Sequence, residues 1–436
     1  MTKEEKPAPL TKLPDLCVRC ATCMAACPVS RVTPRFPGPK QAGPGAQRFR
    51  SASEASVDDW IELCTGCRLC DTVCPAGVPI SELNLMAKGK YLDERGRTFR
   101  DWLLVRSDLF GEMAARYSKI VNPLMKKKAF RWLLDALLRI DRRRALPAYE
   151  YPTFRQWFRT RQAPESGGPE VAYFYGCFTN TNETDVGKAA VGILEAHGLT
   201  VVVPPQRCCG IPRLGVGDLH GAKEMGQRNV ESLLRTVRGL DIIFSSTSCG
   251  LMLRHEYGPL LHLPGAEELS RRLFDICEYL LRLHQDGKPA VTFQPIPMKA
   301  AYFAPCHLRS LDIGLPALEL LRLVPGLDVS VIEAECCGLG GLYGFKKEKF
   351  AIAEEIGKDL AEAVARMKPD IILTDCEGCR MQIRHLTGLK VLHPVQLLRD
   401  ALERRGNSIA KGIVNCSKTL ILPRHPEQYL LKVEVS

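Results

Sequence analysis

The chain repeats part of itself. "VAYFYGC" from residue 171 returns as "AAYFAPC" from 300, "RCCGIPRLG" from 207 as "ECCGLGGLYG" from 335, and "DIIFSSTSCGLMLRH" from 241 as "DIILTDCEGCRMQIRH" from 370. Equivalent positions at the three anchors lie 128 to 130 residues apart, so whatever one copy folds into, the other must also fold into. In each copy a short apolar strand runs into a cysteine and a helix follows. A second strand ("TVVVPP" or "DVSVIEA") enters a Cys-Cys-Gly turn. A longer helix spans about 219–238 or 348–367, and a third strand ("DIIFSS" or "DIILTD") reaches the last cysteines. Strands alternating with helices at this spacing predict parallel βαβ units. The cysteines then stand at strand ends, where open α/β sheets hold their ligands.

Ahead of the repeats, "CVRCATCMAACP" places Cys17, Cys20, Cys23 and Cys27 before Pro28, and "CTGCRLCDTVCP" places Cys64, Cys67, Cys70 and Cys74 before Pro75. This is the C-x2-C-x2-C-x3-C-P run of bacterial ferredoxins, present twice. Three close-set thiolates wrap three corners of a [4Fe–4S] cube, and in two-cluster proteins the fourth cysteine serves the other cube. The expected sets are therefore Cys17, Cys20, Cys23 with Cys74, and Cys64, Cys67, Cys70 with Cys27. Structural zinc is the alternative, but it favours two separated pairs. Two neighbouring clusters suit the passage of single electrons.

The second repeat offers five thiols: Cys306, Cys336, Cys337, Cys376 and Cys379. That is one more than a cube needs, and the adjacent pair could reach two irons. A strained ring disulfide between neighbours is the rarer alternative. Gly338 lets the backbone approach without a Cβ. Cys376 and Cys379 precede an expected helix whose N-terminal N–H groups favour an anionic centre. The first repeat has Cys177, Cys208, Cys209 and Cys249, with Ser246 where the second has Cys376. Its centre is four-thiolate at most, or takes Ser246 or water, with zinc or free core thiols as alternatives. Cys277 and Cys416 read as free, and His255, His307 and His385 as satisfied histidines rather than ligands or proton relays. "GLGGLYG" lacks the third glycine of a dinucleotide fingerprint.

A length of 436 residues with 45% apolar and 25% charged content describes a multi-domain globular chain of α+β class overall. We divide it at 1–95 (helical dicluster ferredoxin-type region), 96–165 (helical linker), 168–290 and 296–403 (α/β Cys-Cys-Gly domains) and 404–436 (an extension without a reading). No apolar run suits a membrane-spanning helix, and "MTKEEKPAPL" has no signal-peptide core. Nineteen cysteines in a chain read as intracellular point to metal rather than disulfides. The net charge of +11 would be partly cancelled by thiolate-ligated clusters, and no nucleic-acid-binding motif accompanies it. In the linker, "LMKKKAFRWLLDALLRI" (124–140) predicts an amphipathic helix with Phe130, Leu133, Leu134, Leu137 and Ile140 on one face. Lys126, Lys127, Lys128, Arg131 and Arg139 lie around the rest, and Arg142, Arg143 and Arg144 follow. Such a helix lies in an anionic bilayer interface or packs on protein. Residues 99–120 are its expected helical partner.

A dicluster region followed by two Cys-Cys-Gly domains resembles the iron–sulfur subunits of heterodisulfide reductases, glycolate oxidases and lactate-utilisation complexes. "CPVSRVTPRFPGPKQAGPGAQRFR" (27–50), "TFRQWFR" (153–159), "YGCFTNTN" (175–182) and "GLYGFKKE" (341–348) resemble, within that group, the iron–sulfur C subunits of anaerobic glycerol-3-phosphate dehydrogenases. The resemblance covers about residues 12 to 403. It implies an electron-transfer subunit that takes electrons from flavoprotein partners oxidising glycerol 3-phosphate and delivers them to menaquinone in anaerobic respiration. Such a protein is cytoplasmic, peripheral on the inner face of the membrane, and not expected to oxidise substrate alone. The resemblance further implies a noncubane [4Fe–4S] cluster at Cys306, Cys336, Cys337, Cys376 and Cys379. Ser246 departs from the five-cysteine pattern, so the first domain's cluster rests on four thiols. The alternative is a related complex whose five-cysteine centre reduces a disulfide or quinone itself.

Overall fold

The computed structural model describes residues 16–50, 58–162, 168–287 and 291–402. The extension after 403, with Cys416, lies outside the described residues. Each repeat forms a four-stranded parallel sheet. The first has β1 (Glu170–Phe174), β2 (Thr200–Val202), β3 (Ile242–Phe244) and β4 (Leu273–Asp275) in the order β2-β1-β3-β4. The second has β5 (Met298–Tyr302), β6 (Leu327–Val331), β7 (Ile371–Leu373) and β8 (Val391–Leu392) in the order β6-β5-β7-β8. Strand order reverses around the first strand of each sheet, which opens a crevice at the carboxyl ends. The register sets Ala172 beside Val202 and Ile242, and Ala300 beside Val329 and Ile371. Three strands per copy follow from the sequence; β4 and β8 are additions to that reading.

The two copies do not sit as separate beads. The helix Ile276–Gln285, which follows the first sheet, packs on Pro316–Arg322 of the second, and Pro394–Asp400 of the second packs on Thr184–Ala196 of the first. One apolar core therefore runs through both, joining Tyr173, Ile193, Ile276, Tyr302, Leu320 and Val395. Buried polar contacts hold the seam. Arg380 Nη2 pairs with Glu183 Oε2 at 2.6 Å, and His393 Nε2 donates to the Ser245 carbonyl at 2.9 Å.

The N-terminal region consists of short helices and turns closed by the helix Ile80–Arg95. A buried pair, Arg50 with Asp58, has Nε 2.6 Å from Oδ2. Arg68 fastens this region to the first sheet's domain: its Nη1 lies 2.8 Å from Glu256 Oε1 and its Nη2 3.2 Å from Glu82 Oε1. Burial pushes the Glu256 carboxyl up to about 7 against the pull of that guanidinium.

The linker folds as Phe99–Leu104, Ser107–Arg116, Ser118–Lys126 and Lys128–Leu138. The helix expected over 124–140 is thus broken at Lys127, whose backbone is extended (φ −69°, ψ 129°). Three consecutive lysines offer no apolar anchor there. Arg139, left-handed at φ 50°, ends the second helix, and Ile140 turns inward to bridge Lys346. The expected apolar face therefore divides: Leu133 and Leu137 are exposed, Phe130 and Leu134 half-buried, Ile140 buried. Arg144, within the basic run, is only 1% exposed; its Nε donates to the Gly344 carbonyl at 2.9 Å and its Nη2 pairs with Glu354 at 3.0 Å.

The motif "TFRQWFR" starts a helix at Phe154, capped reciprocally by Thr153 and Gln156. The fully buried Phe154 ring stands 5.6 Å from Tyr173 and 5.1 Å from Tyr175, which clamps the linker to β1. Phe154→Ala should destabilise the protein by about 3–5 kcal/mol. Denaturant unfolding checks this, and a loss below about 1 kcal/mol contradicts the clamp.

Candidate metal centres

In the first ferredoxin-type run, Arg19 (φ 59°) and Ala21 (φ 66°) flank Cys20; in the second, Gly66 (φ 69°) and Arg68 (φ 62°) flank Cys67 at the equivalent positions. Only one of these four is glycine, so the left-handed backbone is strained. That strain bends the chain so that three thiols converge. The fourth cysteine of each run lies near the other run's three. The Cys23 thiol has Cys17, Cys74 and Cys20 as its sulfur neighbours, whereas Cys64 and Cys67 have Cys27. Pro28 opens a helix directly behind Cys27. Cys20 is exposed and Cys17 and Cys74 half-buried, so the first set borders the surface.

In the repeats the cysteines gather at the sheets' carboxyl ends. Cys177, Cys208, Cys209 and Cys249 follow β1, β2 and β3; Cys306, Cys336, Cys337, Cys376 and Cys379 follow β5, β6 and β7. Each pair is polarised alike. Hydrogen bonds from two neighbouring thiols and from the following glycine N–H hold Cys208 and Cys336 well below the usual thiol range. Donation to these sulfurs pushes Cys209 and Cys337 well above it. Gly338 N donates to Cys336 Sγ at 3.4 Å, and Cys379 Sγ lies 3.2 Å from Cys337 Sγ. A Cβ at Gly338 would overlap the Ala353 carbonyl oxygen, and its φ of 91° is one that side chains rarely adopt.

The four sets form a row. Cys23 and Cys70 share one apolar cluster with Cys17 and Cys74, which joins the two ferredoxin-type sets. Cys27 and Cys336 share another, and Ser310 on the helix after Cys306 reaches the Cys67 carbonyl at 3.5 Å, which joins the second set to the five-cysteine set. Ser248 Oγ lies 3.7 Å from Cys376 Sγ, and Ser246 Oγ donates to Glu377 at 2.9–3.0 Å, which joins the five-cysteine set to the four-cysteine set. Ser246 was legible as the counterpart of Cys376; Ser248 and Glu377 at this last junction were not singled out by the sequence. His307 Nδ1 meets Ser248 Oγ at 3.0 Å and burial pulls it down to about 4, so it stays neutral. His385 pairs with Glu354 at 3.2 Å. Cys277 is fully buried beside Asp275 and Asp375, away from the row.

The thiols test what they could hold. Among the described residues no three of them lie within 4.8 Å of one another. Burial and nearby negative charge push Cys67 and Cys70 upward. Thiolates there require a cationic core, which iron supplies.

A family model for a 4Fe–4S dicluster domain matches residues 14–78, and one for a cysteine-rich domain matches residues 171–254 and 300–384. The chain is 38% identical over 390 residues to the C subunit of the anaerobic glycerol-3-phosphate dehydrogenase of Escherichia coli (strain K12), covering 88% of this chain and 98% of that one. The chain belongs to the family of that C subunit. It is also 28% identical over 399 residues to the B subunit of the fumarate reductase (CoM/CoB) of Methanothermobacter marburgensis, covering 88% of this chain and 71% of that one. With lactate utilization protein A of Bacillus subtilis it shares 28% over 246 residues, 53% of this chain and 99% of the other. The chain is an iron–sulfur protein with an N-terminal dicluster region and two cysteine-rich domains.

The crossover of the fourth cysteines makes a separable prediction. Cys74→Ser should disturb the EPR signal of the centre that also loses intensity in Cys20→Ser. Cys27→Ser should disturb the centre affected by Cys67→Ser. The reverse pairing would contradict the assignment.

Proposed function

We propose that all four cysteine sets hold iron–sulfur clusters: [4Fe–4S] cubes in the two ferredoxin-type sets, a noncubane [4Fe–4S] cluster on Cys306, Cys336, Cys337, Cys376 and Cys379, and a further cluster on Cys177, Cys208, Cys209 and Cys249. We assign the ferredoxin-type region to 1–95, the linker to 96–165, the cysteine-rich domains to 168–290 and 296–403, and leave 404–436 without a role. The chain acts as the electron-transfer subunit of an anaerobic glycerol-3-phosphate dehydrogenase complex. Flavoprotein partners oxidise the substrate, and electrons pass singly along the row to membrane menaquinone. The observation that carries this reading is the unbroken succession of sulfur sets, each touching the next through a cysteine or its immediate neighbour. Clusters bound there supply one-electron chemistry; the protein fixes their spacing, keeps water away and places hydrogen-bond donors on the sulfurs.

The linker supports the membrane end. Among the described residues no helix is long and apolar enough to cross a bilayer. Leu109, Ile120, Trp132, Leu133 and Leu137 are nevertheless exposed along consecutive helices, with exposed Lys126, Lys127 and Lys128 at the turn. Ion pairs of Arg100 with Glu348 (2.7 Å) and Lys346 with Asp101 (2.9 Å) latch these helices to the "YGFKKE" segment of the second cysteine-rich domain. An apolar face rimmed by lysines fits the interface of an anionic membrane.

With its flavoprotein partners and vesicles carrying a menaquinone analogue, glycerol 3-phosphate should bleach the clusters and yield quinol. Turnover of a disulfide by this chain alone with a reduced donor would instead favour the disulfide-reductase reading. The double variant Leu133→Asp/Leu137→Asp should weaken binding to anionic vesicles by at least about a hundredfold, since each buried leucine contributes about 1.5–3 kcal/mol. Unchanged flotation with the vesicles would rule out this face as the anchor.

A further inference from the structure

The two cysteine-rich domains differ at one ligand position, and the structure shows what stands there. Cys376 caps the helix Glu377–Thr387, and Ser246 caps the equivalent helix Thr247–Leu251. Where the second domain presents a thiol, the first presents a hydroxyl. That hydroxyl accepts the Cys249 N–H at 3.2 Å, so it is held against the cysteine set by its own helix. Its proton faces both oxygens of Glu377, at 3.0 and 2.9 Å. Glu377 is the residue directly after Cys376, so its carboxylate belongs to the second domain yet lies in the first domain's site. Its negative charge acts on the Cys177 thiol.

Glu377 has no cation of its own. Among the described residues no Lys, Arg or His stands within ion-pair distance of it. The nearest guanidinium in sequence, Arg380, is committed to Glu183, with contacts of 2.6 and 2.8 Å. A carboxylate without a paired counter-ion, hydrogen-bonded to the hydroxyl that stands where the second domain has a ligand thiol, has the chemistry of a metal ligand.

We propose that Glu377 supplies an oxygen ligand, across the domain boundary, to the iron centre held by Cys177, Cys208, Cys209 and Cys249. This rests on the reading that a cluster occupies that set. Ser246 then positions the carboxylate rather than binding iron. Adjacent residues of one loop serve two centres: Cys376 serves the second domain's and Glu377 the first's. A change in charge at one centre is thereby transmitted to the other through a single turn of helix. The oxygen donor also leaves one iron harder than its neighbours, distinct from every iron of the five-thiol site.

The test uses full-length protein prepared anaerobically with 57Fe, read by iron count and Mössbauer spectroscopy. Glu377→Gln keeps the shape and the Ser246 contact but removes the anionic donor. It should lose the most oxygen-like iron component of the spectrum, while the four thiols, one for each corner of a cube, keep the iron count. Ser246→Ala removes only the positioning hydroxyl and should retain that component. Ser246→Cys in the Glu377→Gln background should give a spectrum of all-sulfur ligation. A Glu377→Gln protein with wild-type spectra overturns the proposal. So does equal loss of the oxygen-like component in both single variants, which would mark the pair as a structural hydrogen bond. If Cys249→Ser removes no iron from the wild type, the set holds no cluster and the reading beneath the proposal fails instead.

Discussion

A thiolate can be buried only against positive charge. Most of the described cysteines lie in the interior, where hydrogen bonds to neighbouring sulfurs, desolvation and mutual repulsion push many of them toward the neutral thiol. Few basic side chains are spent on balancing them: Arg144, Arg380 and Arg399 are tied to carboxylates, and Lys88 donates to the backbone carbonyls of Cys64 and Gly215. The charge must come from what the sulfurs hold. Cationic iron cores answer that requirement, and in return the thiolates cancel part of the chain's excess of lysine and arginine.

The fold serves this constraint twice over. A parallel sheet with its order reversed around the first strand brings three loops to one crevice, and each loop carries cysteines. Duplicating the sheet, and exchanging the last helix of each copy onto the other, turns two such crevices toward each other across a shared core. The ferredoxin-type region is held against the same assembly by Arg68 and by Lys88, so the sulfur sets are fixed relative to one another by buried polar contacts. Electron transfer between centres depends steeply on such fixed spacing, and a rigid seam supplies it.

Much of this was legible in the residues. The repeat offset and the placing of the cysteines at strand ends both follow from spacing, because spacing records a local geometry. The missing pieces are those that spacing cannot carry. β4 and β8 are only three and two residues long, and exist because a parallel partner waits beside β3 and β7. The inward turn at Ile140 and the burial of Arg144 come from docking on Lys346 and Glu354, residues some two hundred positions away. Glu377 is hidden differently: beside Cys376 it reads as an ordinary exposed acid of a helix start, and only the apposition of the two domains shows that it faces Ser246.

The account depends on iron centres close enough to exchange electrons. The most direct measurement is a stepwise reductive titration of anaerobically prepared protein followed by EPR. Successive reduction should produce signals that broaden and split as neighbouring centres become paramagnetic, from spin coupling along the row. A colourless protein carrying zinc, or iron signals that titrate without any mutual broadening, would contradict it.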